Sequence, residues 1–150
     1  PKTPDQKVHL FPEDLPTTAG LYAFQPDPAT DAYPLALISP ASAHTVSSTL
    51  GEFRPGIARL KMHPDDARPR GIEDADPVRV FNTLGEVWCE VTITPEVRPG
   101  VVSLPKGLWA RSTENGASSN ALVPDTLTDL AGGACFNDAR VDVAIRKVVN

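Results

Sequence analysis

Sixteen prolines punctuate these 150 residues, about twice the usual share, and ten glycines add further breaks. Proline ends or kinks a helix, so a chain interrupted this often has room for short strands and turns and little for long helices. One apolar run, Tyr33-Pro34-Leu35-Ala36-Leu37-Ile38, closed by Pro40, has the length of a buried strand. The chain then turns small and polar. Ser39, Ser42, His44, Thr45, Ser47, Ser48 and Thr49 fall within eleven residues, separated only by small residues and Val46. Two readings of this half stand side by side. Small side chains let backbone N–H groups approach a ligand, and hydroxyls can donate to its oxygens. Alternatively the stretch is a serine-rich turn, with Ser47 or Ser48 as the N-cap of a short helix.

The segments that follow extend the strand-and-turn pattern. Ile57 to Met62 reads as a strand after the turn Arg54-Pro55-Gly56. His63-Pro64-Asp65-Asp66 predicts a helix of one or two turns, with Pro64 at its first position, the aspartates at its positive end and Gly71 as its stop. His63 is read there as a local capping partner, and Asp65 and Asp66 as helix-start residues and not an acid/base pair. Val78 to Phe81 and Glu86 to Ile93 form a hairpin about Asn82-Thr83-Leu84-Gly85. In the second strand Val87, Cys89, Val91 and Ile93 alternate with Glu86, Trp88, Glu90 and Thr92, which sets one face inward. Val101 to Pro105 is a short strand and Arg140 to Val149 a closing one. Between them a long irregular region from Lys106 to Phe136 carries Asn115-Gly116, Ser118-Ser119-Asn120 and Gly132-Gly133. A loop of that length in a compact domain is usually functional or disordered.

These elements predict a mainly-β chain forming a small closed barrel with one or two short helices. Residues 1–32 read as an extended lead-in from a preceding domain, with one short strand at Leu21 to Phe24, and residues 33–150 as the barrel. The opening Pro1-Lys2-Thr3-Pro4 lacks an initiator methionine, so the chain is expected to be part of a longer one. A net charge of −5 gives no support to nucleic-acid binding or to anchoring on anionic lipid. No run has the length of a membrane span, and no signal peptide opens the chain. Cys89 and Cys135 sit among apolar residues and read as buried free thiols.

The order of the motifs is distinctive. The strand ending in Ser39, His44 and Ser48, His63-Pro64-Asp65-Asp66-Ala67, and Arg70-Gly71-Ile72-Glu73-Asp74 come first. Val78 to Val87, Val97-Arg98-Pro99-Gly100-Val101-Val102, Leu104-Pro105-Lys106-Gly107-Leu108-Trp109, Asn120-Ala121-Leu122 and Phe136-Asn137 complete the series. Over residues 33 to about 145 this resembles the C-terminal dinucleotide-binding domain of the molybdopterin oxidoreductases. That family includes formate dehydrogenases, dimethyl sulfoxide reductases and periplasmic nitrate reductases.

The resemblance implies a six-stranded double-psi β-barrel that closes over bis(molybdopterin guanine dinucleotide) carrying molybdenum or tungsten. Ser39, Ser42, His44, Thr45 and Ser48 from the serine-rich loop are the implied cofactor contacts on one side. Trp109, Asn120, Phe136 and Asn137 are those from the long loop. Without the resemblance His44 reads as a surface loop histidine, Asn120 equally as a turn residue, and Trp109 and Phe136 as cover for the barrel end. Two departures stand out: Pro40-Ala41 replaces a pair such as Gly-Arg, and Ala75 occupies a turn position where glycine is usual. The implied metal ligand and substrate pocket belong to preceding domains of the same catalytic subunit. The fragment alone is therefore expected to be a monomeric, inactive barrel without catalytic residues or bound metal. The competing class is a non-catalytic barrel adaptor for protein or peptide. A self-processing decarboxylase is disfavoured because no Gly-Ser dipeptide occurs.

Overall fold

In the computed structural model, residues 1–10, 29–53, 56–128, 132–135 and 137–147 are described. The expected strand at Leu21 to Phe24, and most of the expected lead-in, lie outside them. Six strands form the barrel: β1 (Leu35–Ile38), β2 (Arg59–Met62), β3 (Pro77–Phe81), β4 (Glu86–Ile93), β5 (Val101–Ser103) and β6 (Ala139–Ile145). They close in the order β1-β5-β2-β4-β3-β6. β1 runs parallel to β5 and β2 parallel to β4, while every other pairing is antiparallel. The fold is the closed double-psi barrel that the resemblance implies.

Alternation decides what fills it. Leu35 and Leu37, Leu60 and Met62, Val78 and Val80, Val87, Cys89 and Val91, Val102, and Val141 and Val143 all point inward and are buried. A closed ring leaves no strand edge for a second chain to pair with. Leu104 and Leu122, from the loops, plug the interior and are likewise fully buried.

The first strand of the hairpin begins one residue earlier than expected, at Pro77, and β5 ends at Ser103, before its proline. Asn82 does more than shape the turn. Its Oδ1 accepts from the Leu84 and Gly85 amides, at 2.9 and 3.3 Å, and its Nδ2 donates to the carbonyls of Leu122 and Arg140, at 2.8 and 3.0 Å. One side chain thus ties the hairpin to the long loop and to β6.

At the other end a four-residue helix, α1 (Pro64–Ala67), starts as the sequence indicates. His63 Nδ1 accepts from the Asp65 amide at 3.1 Å, Pro64 stands in the first turn, and Gly71 closes the following 3-10 turn with φ +64°. Asp66 Oδ2 accepts from the Gly100 amide at 2.7 Å, and Arg70 reaches Asp142 on β6 at 2.7 Å. The helix-start carboxylates are structural.

One sequence expectation changes here. Cys89 is fully buried, but Cys135 is only half-buried, because it lies on a loop next to the barrel and not in a strand. Ala75 adopts φ +67°, the left-handed region, while its amide donates to Val91 O at 3.0 Å. The turn requires a conformation that glycine adopts without strain, and a Cβ there costs about 1 kcal/mol.

Two predictions follow from these positions. Ala75→Gly is expected to raise stability by up to about 1 kcal/mol in urea unfolding, the relief of strain being partly offset by a more flexible unfolded chain. Unchanged or lower stability would count against strain at this turn. Burial pushes the Cys89 thiol up to about 12, with the Glu114 and Glu90 charges acting in the same direction. Its contribution is fully present below the ordinary thiol range and is lost as pH rises through about 12. Iodoacetamide at pH 8.5 should therefore modify Cys135 first and reach Cys89 only on unfolding, as mass spectrometry would read.

Candidate functional site

The strand directions place one set of loops together. The C-terminal ends of β1, β3 and β5 and the N-terminal ends of β2, β4 and β6 meet at one rim, as the pairs Ile38↔Ser103, Leu37↔Ala139, Lys61↔Ser103 and Phe81↔Asp142 require. The serine-rich connection, the Asn82 hairpin and the long loop after β5 all leave from this rim. His44 and Asn120, remote in sequence, therefore lie on the same end of the barrel.

The serine-rich loop is built on its own hydroxyls. Ser42 Oγ accepts from the amides of His44 and Thr45, at 3.1 and 3.0 Å, and lies 2.8 Å from Thr45 Oγ1. Ser47 takes φ +53° and Leu50 φ +70°, and the loop passes into a 3-10 turn at Gly51–Phe53. No helix is capped by Ser47, whose left-handed backbone turns the chain back on itself. The 3-10 turn begins at Gly51, directly after Leu50, so Ser48 does not stand at its cap position either.

The long loop grips this one at several points. Leu104 N–H donates to Ile38 O and Lys106 N–H to Pro40 O, each at 3.0 Å, extending the β1–β5 pairing past the strand ends. Gly107, at φ +74°, passes so close to Ser47 that a Cβ would collide with the Ser47 carbonyl group. Trp109 Nε1 donates to Ser48 O at 2.6 Å, and its ring lies against Gly51, where a Cβ would stand 2.5 Å from Nε1. Arg111 covers the same ring at 4.8 Å and donates to Gly51 O at 3.2 Å. Trp109 is thus 38% exposed and braces the two loops; it does not sit in the core.

Two clefts flank this contact. One, of about 330 Å³, is lined by Ser42, His44, Thr45, Ile57 and Trp109 among others. The second, of about 520 Å³, takes in Ser39, Ser48, Ser118, Ser119, Asn120 and Asn137. They share the wall Lys106-Gly107-Leu108. Ser39 is anchored by its backbone, whose N–H donates to Asn137 Oδ1 at 3.2 Å, while its buried Oγ has no hydrogen-bond partner among the described residues. Asn120 is exposed on a 3-10 turn (Ser119–Leu122) whose Leu122 is the interior plug. Phe136, the remaining sequence candidate, lies outside the described residues. Sequence reasoning singled out neither Gly51, Gly107 nor Lys106; only the quoted Lys106-Gly107-Leu108-Trp109 motif pointed that way.

Residues 37–140, more than half of the chain, match the family model described as molydopterin dinucleotide binding domain. The chain belongs to this family of molybdopterin dinucleotide-binding domains. It is 32% identical over 148 residues to a probable oxidoreductase, YoaE, of Bacillus subtilis, covering 94% of this chain and 22% of that protein. With the dimethyl sulfoxide reductase DmsA of Escherichia coli it shares 37% over 124 residues, 77% of this chain and 15% of that one. The chain thus spans about a fifth of the length of these relatives. Among solved structures, acetylene hydratase from Pelobacter acetylenicus superposes with a TM-score of 0.60 at 17% identity, over 76% of this chain and 18% of the other. That likeness is one of fold.

The donor set fits a molybdopterin dinucleotide. A pterin presents a flat edge of alternating donors and acceptors. The second cleft offers hydroxyls that both donate and accept, two carboxamides, and in Ser39 Oγ a buried polar atom still lacking a partner. Among the described residues no three His, Cys, Asp or Glu side chains are grouped so as to hold a metal, and no helix is long and apolar enough to cross a membrane.

The join between the two loops depends on Gly107. Gly107→Ala should strain or part the two loops, at a local cost of about 1–3 kcal/mol, without opening the barrel. Hydrogen exchange is expected to quicken at least about tenfold at the Val46, Thr49 and Lys106 amides while β3 and β4 keep their protection. Uniform loss of protection, or none, would remove the loop contact as a separate unit.

Proposed function

We propose that the chain is the C-terminal cofactor-binding domain of a molybdenum or tungsten oxidoreductase, with the barrel at 33–150 closing over bis(molybdopterin guanine dinucleotide). The observation that carries this is the hydroxyl- and amide-lined cleft around the unpaired Ser39 Oγ, set in a chain whose relatives are named oxidoreductases. When bound, the group supplies a metal centre able to change oxidation state. The chain's own part is to bind and orient. Ser39, Ser48, Asn120 and Asn137 meet the pterin edge with hydrogen bonds, while Ser42, His44, Thr45 and Trp109 close the adjoining cleft. A preceding part of the same subunit would supply the metal ligand and the substrate pocket.

Each hydrogen bond contributes only about 0.5–1.5 kcal/mol net, so single contacts are modest and the loops act together. In the full-length protein, Ser39→Ala and Asn120→Ala are each expected to lower cofactor retention severalfold, and the double variant more than either. Molybdenum or tungsten and released nucleotide per polypeptide measure this, with circular dichroism confirming the fold. Full retention in the double variant would sink the assignment of this cleft.

A further inference from the structure

The ridge between the two clefts carries a cation to which no role has yet been given. Lys106 lines both clefts, and its side chain is exposed. Among the described residues no carboxylate pairs with it, whereas the other rim cations are engaged. Arg59 pairs with Glu90 at 2.8 Å, Arg79 with Glu86 at 3.6 Å, and Arg111 is taken up by Gly51 O and the Trp109 ring. An exposed, unpaired lysine on the wall shared by two cavities, on a chain of net charge −5, is a local reversal of sign.

The backbone beside it has the same character. The Lys106 amide is spent on Pro40 O, which holds the loop in place. The next two amides, of Gly107 and Leu108, donate no hydrogen bond among the described residues. Gly107 between them is left-handed, at φ +74°, and its approach to Ser47 fixes it there. Successive unpaired amides about a left-handed residue are a recurrent anion-binding geometry. Ammonium and amides together suit a ligand with two or more adjacent phosphate oxygens.

We propose that Lys106, with the Gly107 and Leu108 amides, binds the diphosphate link of a dinucleotide across this ridge, so that the ligand's two halves fall into the two clefts. The half with the hydrogen-bonding edge lies with Ser39 and Asn120, and the nucleotide base lies toward Ile57 and Trp109. This rests on the cofactor-binding assignment above and adds to it the placement of the charged link. The contact is on the surface and screened by salt, so its strength is moderate.

Inorganic pyrophosphate and guanosine diphosphate, titrated into the chain and followed by amide chemical shifts, provide the test. Shift changes should centre on Lys106 to Leu108 for both probes. Lys106→Gln is expected to weaken both by about three- to tenfold and to flatten their salt dependence, while Lys106→Arg keeps most of the affinity. Because Lys106 is exposed, both variants should retain the dispersed spectrum of the folded barrel. Equal affinity of the wild type and Lys106→Gln for either probe, or no response to pyrophosphate at millimolar concentration, would overturn the proposal. The outcome is separable from the cofactor assignment: retention in the Ser39 and Asn120 variants does not involve Lys106. If pyrophosphate binding depends on Lys106 but those variants keep their cofactor, the anion site stands and the cleft assignment falls.

Discussion

The parallel pairing of β1 with β5 sets Ile38 opposite Ser103, and two further hydrogen bonds, Leu104 N–H to Ile38 O and Lys106 N–H to Pro40 O, carry that alignment beyond the strands. Two connections far apart in sequence are thereby delivered side by side at one rim. Parallel neighbours must be joined by a long crossover, and here the crossover contains three other strands. The barrel closes around it with Val and Leu side chains filling the interior, and closure holds the rim positions in place. The loops inherit their relative position from this hydrogen-bonded ring.

At the rim, contact between the loops is made largely by backbone. Gly107 lies against the Ser47 carbonyl and Gly51 against the Trp109 indole, and in both places the absence of a Cβ permits the approach. The indole N–H, bonded to Ser48 O, and the Arg111 guanidinium over the ring then hold the loops from the solvent side. Loops pinned in this way before a ligand arrives lose less conformational freedom when it binds. Ser39, Asn120 and Lys106 all line the second cleft beside this contact. Asn82 contributes from below. By bonding Leu122 O and Arg140 O it fixes the turn that carries Asn120 relative to the hairpin.

Much of the fold was legible before any coordinates, because its causes are local. Alternation marked β4 from Glu86 to Ile93, proline and glycine marked the short helix after His63, and the Asn82 turn marked the hairpin. The serine-rich loop was legible as polar and small, but its internal order was not. The Ser42 turn is closed by its own hydroxyl, but the left-handed Ser47 lies against Gly107 from a distant loop, and no local propensity announces that contact. The bracing role of Trp109 was not legible for a related reason. Its apolar bulk suggests burial, while its N–H and its two flanking partners hold it across the surface.

By itself the sequence determined a mainly-β chain of short strands, the inward face of β4, and an ordered series of motifs shared with a family of cofactor-binding domains. Those follow from side-chain period and from residues whose backbone preferences are strong. Which loops face each other, that Lys106 stands on a ridge between two cavities, and that Ser39 Oγ is left without a partner were decided only by the tertiary structure. Strand pairing across long separations sets these relations, and the free energy of that pairing resides in the closed ring of strands and in no segment alone.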